Sequence, residues 1–552
     1  MNKDLFISIA AVCVLAIACS RAISQPVYNA NPDWISSDTP VSTGGAFVDL
    51  DRDGWLDFVV SNGNDMRCQR VAVYYNRGDG TFPATPDWQS DNIAYHGHLA
   101  VADVNGDGWP DVAVAHLGEY NTVGSIARVY LNNGGTLSSQ PDWTSDIDGN
   151  AFGVAFGDVN NDGRPDLAVA TGWAYNPQHF YHNYVYLNVD GALEPTASWE
   201  SDDTHHYQGA LWVDADDDGW LDLVGIGSNI QTRIYRNLGG VLETTASWQT
   251  AEGTDQDGIM LTAGDVQADG LLDLFATDNT QLGGSGRFKQ YDGLAEGMFE
   301  TTYSWSYYEG YGSAIALADL DADGFLDLAT GAWWDHTRIF INNGQGFDTP
   351  DWSSQRTSVI EKIVFGDIDR LCLHNSVAVL KGDGERRLFY LPDQQIQSVS
   401  TVKRDGRPLL PSEFTLDREH GWITVADAPQ DTLEVAYAYS TSLDMGITNW
   451  DNSVGNFLYY NQLNNRCCNG KEVIKRAKCK TRGGKVKKVI VVVKKATPGG
   501  EYTATLDTGE KVREAASGKG KVKFKFSGNN APPCGPNGVS VCDEYREFGC
   551  DC

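Results

Sequence analysis

The chain has 552 residues, more than one ordinary hydrophobic core accommodates, so several domains or one large closed architecture is expected. Its formal net charge is −32, but residues 462–552 carry 19 Lys and Arg against 9 Asp and Glu, which leaves 23 against 65 in residues 1–461. A body with a net charge of −42 repels phosphate groups, which argues against nucleic-acid binding.

The first 25 residues have the pattern of a secretory signal, because one lysine precedes an apolar stretch from Leu5 to Ala18 that is too short to span a membrane. The segment Ala16-Ile17-Ala18 suits ordinary signal cleavage. Cys19 directly after it resembles a bacterial lipobox, so a lipid anchor at this cysteine is the alternative. No later stretch is apolar enough to cross a bilayer. We therefore expect a secreted or cell-surface protein.

An acidic nonapeptide recurs through the chain at intervals of 51 to 56 residues. It reads DLDRDGWLD at Asp49, and five further copies start at Asp103, Asp158, Asp214, Asp265 and Asp319. Each copy lies between two short apolar runs, and an alternating run and a segment with tryptophan follow. Such runs, ended by Asn or Gly, are typical of strands joined by tight turns. Four strands in each of about seven units predict an all-β fold with a seven-bladed β-propeller over residues 26–461.

The two ends of this region complement each other. The segment NPDWISSD carries Trp34 before the first complete unit, while the last strand pair lacks a tryptophan segment. Closure of the ring by the N-terminal segment is therefore predicted. Residues 396–440 do not follow the repeat and are expected to form a strand-rich insertion in the last blade. The start of an eighth blade is the alternative.

Carboxylates at positions 1, 3, 5 and 9 of the nonapeptide, with glycine at position 6, have the spacing of a calcium loop. Alternate side chains point oxygen atoms inward, the glycine permits a sharp bend, and Ca²⁺ accepts six to eight oxygen ligands. Six copies in register predict about six Ca²⁺ sites, each closed by a bidentate carboxylate at position 9. The predicted metal ligands are Asp49, Asp51, Asp53, Asp57, Asp103, Asn105, Asp107, Asp111, Asp158, Asn160, Asp162, Asp166, Asp214, Asp216, Asp218, Asp222, Asp265, Gln267, Asp269, Asp273, Asp319, Asp321, Asp323 and Asp327.

Two copies depart from this pattern. Gln267 stands at position 3 of its loop, which is expected to be the weakest of the six sites. A seventh copy, DIDRLCLHN at Asp367, lacks the third Asp, the Gly and the final Asp. We expect that copy to be empty.

The DxDxDGxxD frames inside four-stranded units resemble the FG-GAP/VCBS repeats of integrin α-subunit propellers and certain fungal lectins. The resemblance covers roughly residues 26–461. It implies an extracellular, calcium-stapled propeller that serves as a recognition platform. It identifies no single ligand, because one fold hosts many functions. The altered copy at Asp367 and the insertion depart from the family pattern, so the closure of the last blade is the least regular part.

The face opposite the calcium loops is the predicted ligand-binding surface. In a four-stranded meander the calcium loops join strands 1 and 2, so the aromatic-rich connections between strands 2 and 3 and between units share the other face. Aromatic side chains with polar tips suit carbohydrate or protein recognition. Packing of these rings between blades is the alternative. The candidate residues are His96, His98, Tyr120, Trp173, Tyr175, His205, His206, Tyr207, Tyr308, Tyr311, Trp333, Trp334 and Trp450.

The sequence gives little support for catalysis. Neither a Gly-X-Ser-X-Gly motif, a phosphate-binding glycine loop nor a redox CxxC motif is present, and the calcium loops account for the many Asp. The His205-His206 and His96/His98 pairs are the only candidates for a further metal site. A non-catalytic recognition or adhesion protein is therefore predicted. A polysaccharide lyase or hydrolase is the alternative, and a structural component of the cell surface is the third hypothesis.

Residues 462–552 form a separate basic, cysteine-rich region. Seven of the chain's 11 Cys lie there, which is typical of a small exported module held by disulfides. Alternating runs such as KKVIVVVKKA and KVKFKFSG predict a β-sandwich whose lysines lie on a solvated face. Binding of an acidic polymer, or of the chain's own acidic propeller, is a hypothesis that no motif supports.

Overall fold

The computed structural model describes residues 26–118, 124–172, 181–253, 256–295, 297–370, 372–463, 473–483, 485–496, 501–506, 511–515, 517, 519–527, 531–541 and 544–550. The predicted signal at residues 1–25 lies outside them. Within the described ranges the regular structure consists of strands and short 3₁₀ turns, such as the one at Pro411–Glu413. The prediction of an all-β fold is confirmed.

The first four repeats each form a four-stranded antiparallel sheet. The strands are β1 (Trp34–Ile35), β2 (Ser42–Val48), β3 (Asp57–Asn62), β4 (Ala72–Tyr74), β5 (Trp88–Gln89), β6 (His96–Ala102), β7 (Asp111–His116), β8 (Gly124–Ser125), β9 (Ala127–Tyr130), β10 (Trp143–Thr144), β11 (Asp148–Gly149), β12 (Ala151–Gly157), β13 (Asp166–Thr171), β14 (Tyr184–Tyr186), β15 (Asn188–Val189), β16 (Ala192–Leu193), β17 (Trp199–Glu200), β18 (His206–Val213), β19 (Asp222–Ser228), β20 (Arg233–Tyr235) and β21 (Trp248–Gln249). The sheets are β2-β3-β4-β5, β6-β7-β9-β10, β12-β13-β14-β17 and β18-β19-β20-β21, and β8–β11 and β15–β16 are small additional pairs.

Two of the later repeats share a strand. They contain β22 (Leu261–Gly264), β23 (Asp273–Ala276), β24 (Arg287–Tyr291), β25 (Trp305–Tyr308), β26 (Gly312–Ala318), β27 (Asp327–Phe340), β28 (Trp352–Gly366), β29 (Leu373–Lys381), β30 (Leu388–Tyr390), β31 (Ser398–Arg404), β32 (Arg407–Pro408), β33 (Phe414–Asp417), β34 (Trp422–Val425), β35 (Thr432–Ser440), β36 (Asp444–Asn449) and β37 (Phe457–Tyr459). The fifth sheet is β22-β23-β24-β25, and β26, β27, β28, β36, β37 and β1 form one six-stranded sheet.

The six-stranded sheet contains two repeat units joined through β28. The start of β28 pairs with β27, where Trp352 lies opposite Ile339, and its end pairs with β36, where Gly366 lies opposite Asp444. The long strand β28 is therefore the last strand of the sixth unit and the first strand of the seventh. In the described residues the sixth unit therefore contains β26, β27 and the start of β28, and the seventh contains the end of β28, β36, β37 and β1.

The first strands of the units form a closed ring. Each of β2, β6, β12, β18, β22, β26 and β28 contacts the next one, and β28 contacts β2. The N-terminal strand β1 completes the seventh unit, because Trp34 and Ile35 pair with Leu458 and Phe457 of β37. Tyr28, fully buried, donates a hydrogen bond from its hydroxyl to the Leu443 carbonyl at 2.8 Å. One sheet thus joins the two ends of the ring.

The repeated tryptophans occupy one equivalent position and bridge neighbouring units. Trp143 lies opposite Val129 in its own sheet, and its indole N–H donates to the Glu194 carbonyl of the next unit at 3.2 Å. The indole of Trp248 donates in the same way to Phe299 at 2.9 Å. The indoles of Trp143 and Trp248 therefore connect adjacent sheets at their outer edges.

The insertion between β28 and β36 is longer than the predicted residues 396–440, because its strands run from Leu373 to Ser440. It forms the sheets β29-β35-β31-β32 and β30-β34-β33 around a core of its own. Together with the inner strands it encloses a cavity of about 560 Å³ in the ring centre. Lys362 of β28 binds Glu419 of the insertion at 3.3 Å, so the insertion covers the channel on the side of the acidic loops.

The C-terminal region is a two-sheet module. Its strands are β38 (Val473–Thr481), β39 (Val486–Lys494), β40 (Glu501–Leu506), β41 (Lys511–Ala515), β42 (Lys521–Ser527), β43 (Gly535–Val541) and β44 (Glu544–Cys550). The sheets β38-β39-β42 and β41-β40-β43-β44 enclose a separate apolar core. Cys479 and Cys550 form a disulfide, and Cys372 and Cys534 are also disulfide-bonded. Cys68 is a free, exposed cysteine.

Candidate functional site

The six acidic nonapeptides adopt one backbone conformation. The glycine at position 6 has φ between +84° and +95° in all six loops, a region that disfavours side chains with a Cβ atom. The carboxylate at position 1 accepts a hydrogen bond from this glycine, as in Gly54 N to Asp49 Oδ2 at 3.1 Å. The carboxylate at position 5 accepts from residue 7, as in Trp55 N to Asp53 Oδ1 at 2.8 Å. The glycine expected from the sequence is therefore required by the backbone.

The carboxylate at position 9 has a structural role in every loop. In the third loop, Asp166 Oδ2 accepts from Val159 N at 2.9 Å, and Asp166 Oδ1 accepts from Asn188 N at 2.7 Å. The same two backbone bonds recur at Asp57 and Asp327. Each oxygen retains a further lone pair that can face a cation. The closing carboxylate thus joins its loop to the third strand of its own unit.

The loops bring carboxylate oxygens together. Oxygen atoms of Asp49, Asp51 and Asp53 lie within 4.8 Å of one another, and the same holds for Asp214, Asp216 and Asp218 and for Asp319, Asp321 and Asp327. Burial, followed by the charge of neighbouring carboxylates, raises the pKa of Asp57 to about 7 and that of Asp319 to about 7. Hard oxygen ligands at this density fit Ca²⁺ in preference to softer metals.

The loop at Asp214 is also neutralised by arginines. Arg236 pairs with Asp216, and Arg386 of the insertion lies 3.3 Å from Asp214 and 2.7 Å from Asp217. In the loop at Asp265, the side-chain amide of Gln267 approaches Asp273 Oδ1 at 3.5 Å. The insertion therefore contacts the acidic loops directly.

The altered seventh copy regains its closing carboxylate from a distant residue. Asp444 Oδ2 accepts from Ile368 N at 3.0 Å, and Asp444 Oδ1 accepts from Asn461 N at 2.8 Å, which are the two bonds made at position 9 elsewhere. Oxygen atoms of Asp367, Asp369 and Asp444 lie within 4.8 Å of one another. Arg370 has φ +55°, within the range of +53° to +70° found at position 4 of the intact loops. The insertion separates the start of this loop from its closing residue in the sequence. Asp444 therefore takes the place of the final Asp that the nonapeptide at Asp367 lacks.

An asparagine after the third strand connects neighbouring loops, and the sequence analysis interpreted it only as a turn residue. Asn188 Nδ2 donates to the Val104 carbonyl, at position 2 of the preceding unit's loop, at 2.8 Å. Equivalent bonds join Asn76 to Ile368, Asn132 to Leu50, Asn237 to Val159, Asn342 to Val266 and Asn461 to Leu320. The signal was its recurrence at one position in six of the seven repeats.

On the opposite face, five of the predicted ligand-binding residues come together near the channel axis. Trp333 and Trp450 ring centroids are 5.6 Å apart, Trp333 and Trp334 are 6.1 Å apart, and Trp334 and Tyr311 are 5.7 Å apart. His98 joins this cluster through Phe152, which contacts both His98 and Trp450. Trp334 is 56% exposed and Tyr311 39% exposed. We call these residues, with Trp333, Trp450 and His98, the aromatic cluster.

A buried acid supports the aromatic cluster. Glu361 Oε2 accepts a hydrogen bond from the Trp333 indole at 2.7 Å, and Glu361 Oε1 lies 3.9 Å from His98 Nε2. Burial raises the pKa of Glu361 well above its usual value, and burial together with Lys362 lowers the pKa of His98 to about 3. Burial therefore favours the uncharged form of both side chains, and Glu361 fixes the orientation of the Trp333 ring through the hydrogen bond.

Four predicted ligand-binding residues lie outside the aromatic cluster. His96 is fully buried and its Nδ1 lies 2.7 Å from the Asn62 carbonyl, while Tyr207, also fully buried, donates to Asp203 at 3.0 Å. His206 is buried, and His205 lies 3.0 Å from Arg233. These contacts of His96, His205 and Tyr207 are thus with protein groups of the propeller. Tyr308, 60% exposed, lies on β25 outside the aromatic cluster, and Tyr120, Trp173 and Tyr175 lie outside the described residues.

The comparisons with known proteins point to the same repeats. The FG-GAP-like repeat family matches residues 33–114 and 116–169. Human integrin alpha-7 is 34% identical over 105 residues, which is 16% of this chain and 8% of that protein. Integrin alpha-3 of Cricetulus griseus is 31% identical over 155 residues, 24% of this chain and 14% of that protein. A T-cell immunomodulatory protein homolog of Plasmodium yoelii yoelii is 25% identical over 135 residues, 22% of this chain and 19% of that protein.

This chain spans less than a fifth of the length of each of these relatives. Among solved structures, Sqt1 of Saccharomyces cerevisiae has a TM-score of 0.42 at 8% identity, with 79% of this chain and 99% of that chain covered. The WD40 beta propeller domain of Doa1 has a TM-score of 0.35 at 10% identity, with 60% and 87% covered. Across the described residues, we find no helix with the length and apolar character needed to cross a membrane.

Proposed function

We propose that this FG-GAP-repeat β-propeller protein is an exported, calcium-stabilised recognition or adhesion protein that binds a carbohydrate or protein ligand through its aromatic cluster. The observation that carries the proposal is the convergence of Tyr311, Trp333, Trp334 and Trp450 at the centre of the face opposite the acidic loops. Exposed aromatic rings held by a rigid scaffold provide a large contact area at a small cost in side-chain entropy.

Calcium is the proposed structural cofactor. The 21 aspartates at ligand positions of the six intact loops need a counter-charge, because carboxylates ~4 Å apart repel by about 1 kcal/mol in water and by more at lower dielectric. When bound, Ca²⁺ would supply that charge and hold each loop against the neighbouring sheet. We include the split loop of Asp367, Asp369 and Asp444 among the proposed sites, because its oxygen cluster resembles those of the intact loops.

A non-catalytic role is favoured over a polysaccharide lyase or hydrolase. Within the aromatic cluster the base His98 is 9% exposed, and the acid Glu361, which contacts Trp333, is fully buried. A general acid or base must lie within hydrogen-bond reach of the substrate. The burial of this pair supports a role in positioning Trp333.

An extracellular location, with Cys19 as an alternative lipid anchor, is supported by the Cys479–Cys550 disulfide, because such bonds persist in oxidising compartments.

Ligand binding is tested on arrays of glycans and extracellular-matrix proteins, with the full chain in millimolar calcium. Trp334→Ala should abolish the binding that the wild type shows, while Tyr303→Ala, which removes a similarly exposed ring outside the cluster, should not. Both variants should melt like the wild type. Equal binding by wild type and Trp334→Ala would contradict the proposed surface.

Calcium binding is tested separately by elemental analysis and thermal unfolding. Excess EGTA should lower Tm, and Asp369→Asn should reduce the bound calcium by about one ion per chain if the split loop is occupied. Asp451→Asn, a substitution of an aspartate outside the seven loops, is the matched control. An unchanged Tm in EGTA, with no bound metal detected, would exclude the calcium role.

A further inference from the structure

The three-stranded sheet of the C-terminal module has two very different faces. Alternate residues of its strands point to opposite sides. One side is apolar and buried, with Val489, Val491 and Val493 of β39 and Val522, Phe524 and Phe526 of β42 in the module core. The other side carries the lysines of β42, because Lys521, Lys523 and Lys525 alternate with those core residues and are exposed.

The strand register places more basic residues on this outer side. Lys523 lies opposite Val492, which lies opposite Arg476, and Lys525 lies opposite Ile490, which lies opposite Lys478. Lys480 lies opposite Lys488, and Lys494 lies opposite Lys521. The outer face, called here the basic groove, therefore contains Arg476, Lys478, Lys480, Lys488, Lys494, Lys521, Lys523 and Lys525.

These residues form two rows with an apolar floor between them. Arg476, Lys478 and Lys480 follow β38, and the lysines of β42 follow the other edge. Two inter-strand spacings separate the rows by about 9.6 Å, and alternate residues repeat every ~6.8 Å along each row. Val492 on the middle strand is only 6% exposed although it faces outward. Burial of this valine agrees with long basic neighbours whose aliphatic stems lie along the apolar surface.

The basic groove has no internal counter-charge. Among the described residues, none of its eight cations forms an ion pair, and no carboxylate occupies the outward positions of β38, β39 or β42. Eight like charges on one sheet face repel one another, and that repulsion is relieved when a polyanion binds. The face also lacks aromatic side chains in these strands, which base stacking on single-stranded nucleic acid uses.

We propose that the basic groove binds a linear acidic polysaccharide, with its chain parallel to the strands. Sugar rings would lie over Val492 and Ile490, and carboxylate or sulfate groups on alternate sides would reach the two basic rows. The spacing of the rows suits one extended chain with anionic groups on both edges. This site is independent of the aromatic cluster, because it belongs to a module with its own core.

The test uses the full chain and surface-immobilised heparin and polygalacturonate as sulfated and carboxylated probes, with neutral dextran, duplex DNA and anionic lipid vesicles alongside. The wild type should bind at least one acidic polysaccharide, more weakly at higher salt, and not dextran. Lys523→Glu/Lys525→Glu should weaken that binding by about tenfold or more. Arg67→Glu/Lys381→Glu, exposed residues outside the module with the same total charge change, should leave it within about twofold.

Several outcomes would overturn the proposal. Absence of binding to both polysaccharides, or an equal loss in the two double variants, would show that the groove is not the site. Binding to DNA or vesicles at least as tight as to the polysaccharides would assign the groove to a different polyanion. Unfolding curves of both variants, recorded first, separate these outcomes from a loss of structure. Binding of glycans to the aromatic cluster is distinguished by Trp334→Ala, which should leave this interaction unchanged.

Discussion

Glu361 is a carboxyl group inside the ring, between Trp333 and His98. The Trp333 indole satisfies one of its oxygens, and nearby Asp65 adds to the effect of burial on its pKa. Such a group destabilises the folded protein at neutral pH, because ionisation in the interior is unfavourable. Its position at the base of the aromatic cluster agrees with a role in orienting Trp333 for ligand contact.

Glu361→Gln should make the protein more stable at pH 7 to 8, by about 1 kcal/mol or more, because the amide oxygen still accepts from Trp333 without an ionisation penalty. The folded-state pKa of Glu361 lies well above the usual value near 4.5, so the folded wild type holds a proton that the unfolded chain has lost. Wild-type stability therefore falls as the pH rises through this window. Tm measured from pH 4 to 8 should show the two proteins converging below about pH 4.5. Glu300→Gln, at an exposed site, should show no such pH-dependent difference.

At the level of elements, side-chain hydrogen bonds join the loops of neighbouring units. The backbone N–H of each recurring asparagine donates to the closing carboxylate of its own unit. Its side-chain amide donates to the loop of the preceding unit. For Asn188 these are the bonds with Asp166 and with Val104. The acidic loops are thus connected to one another around the ring. Between the fourth and fifth units Gly293 stands at the corresponding position, so this junction lacks the side-chain bond.

Asn188→Ala should lower the free energy of unfolding by about 2 kcal/mol, because it leaves the buried carbonyls of Val104 and Pro165 without a donor. Asn133→Ala removes an exposed asparagine from a comparable turn and should cost less than about 0.5 kcal/mol. Urea unfolding at a fixed calcium concentration measures both. Similar midpoints for the two variants would show that the inter-unit bond contributes nothing.

At the level of the whole molecule, closure of the ring depends on a two-residue strand at the start of the described chain. β1 pairs with β37, and Trp34 donates to the Phe82 carbonyl of the first unit at 3.2 Å. The segment therefore contacts both the last unit and the first one. A propeller without this strand leaves the outer edge of β37 unpaired, which exposes backbone hydrogen-bonding groups.

Deletion of residues 26–36 should lower Tm by several degrees, because it removes β1 together with the buried side chain of Tyr28. It should also speed proteolysis within the seventh unit. Deletion of residues 473–552, which removes a module with a separate core, should leave the propeller transition nearly unchanged. Differential scanning calorimetry and timed trypsin digestion report both effects. If the first deletion melted like the intact chain, β1 would be dispensable for closure.

The sequence alone determined the features that are local and repeated. Alternating runs predicted the strands, the six aspartate frames predicted the loops with their left-handed glycines, and Trp34 predicted the closure. The tertiary structure decided what depends on distant residues. Asp444 completes the loop of Asp367 across an insertion whose start the repeat pattern did not mark, and Asn188 forms its bond with another unit. Strand register gathers Arg476 and Lys523 on one face. Tyr207 is buried and Trp334 is exposed, although the sequence predicted the same role for both. The repeat spacing predicts which strand or loop a residue occupies, but the side chains that cover it come from distant parts of the chain.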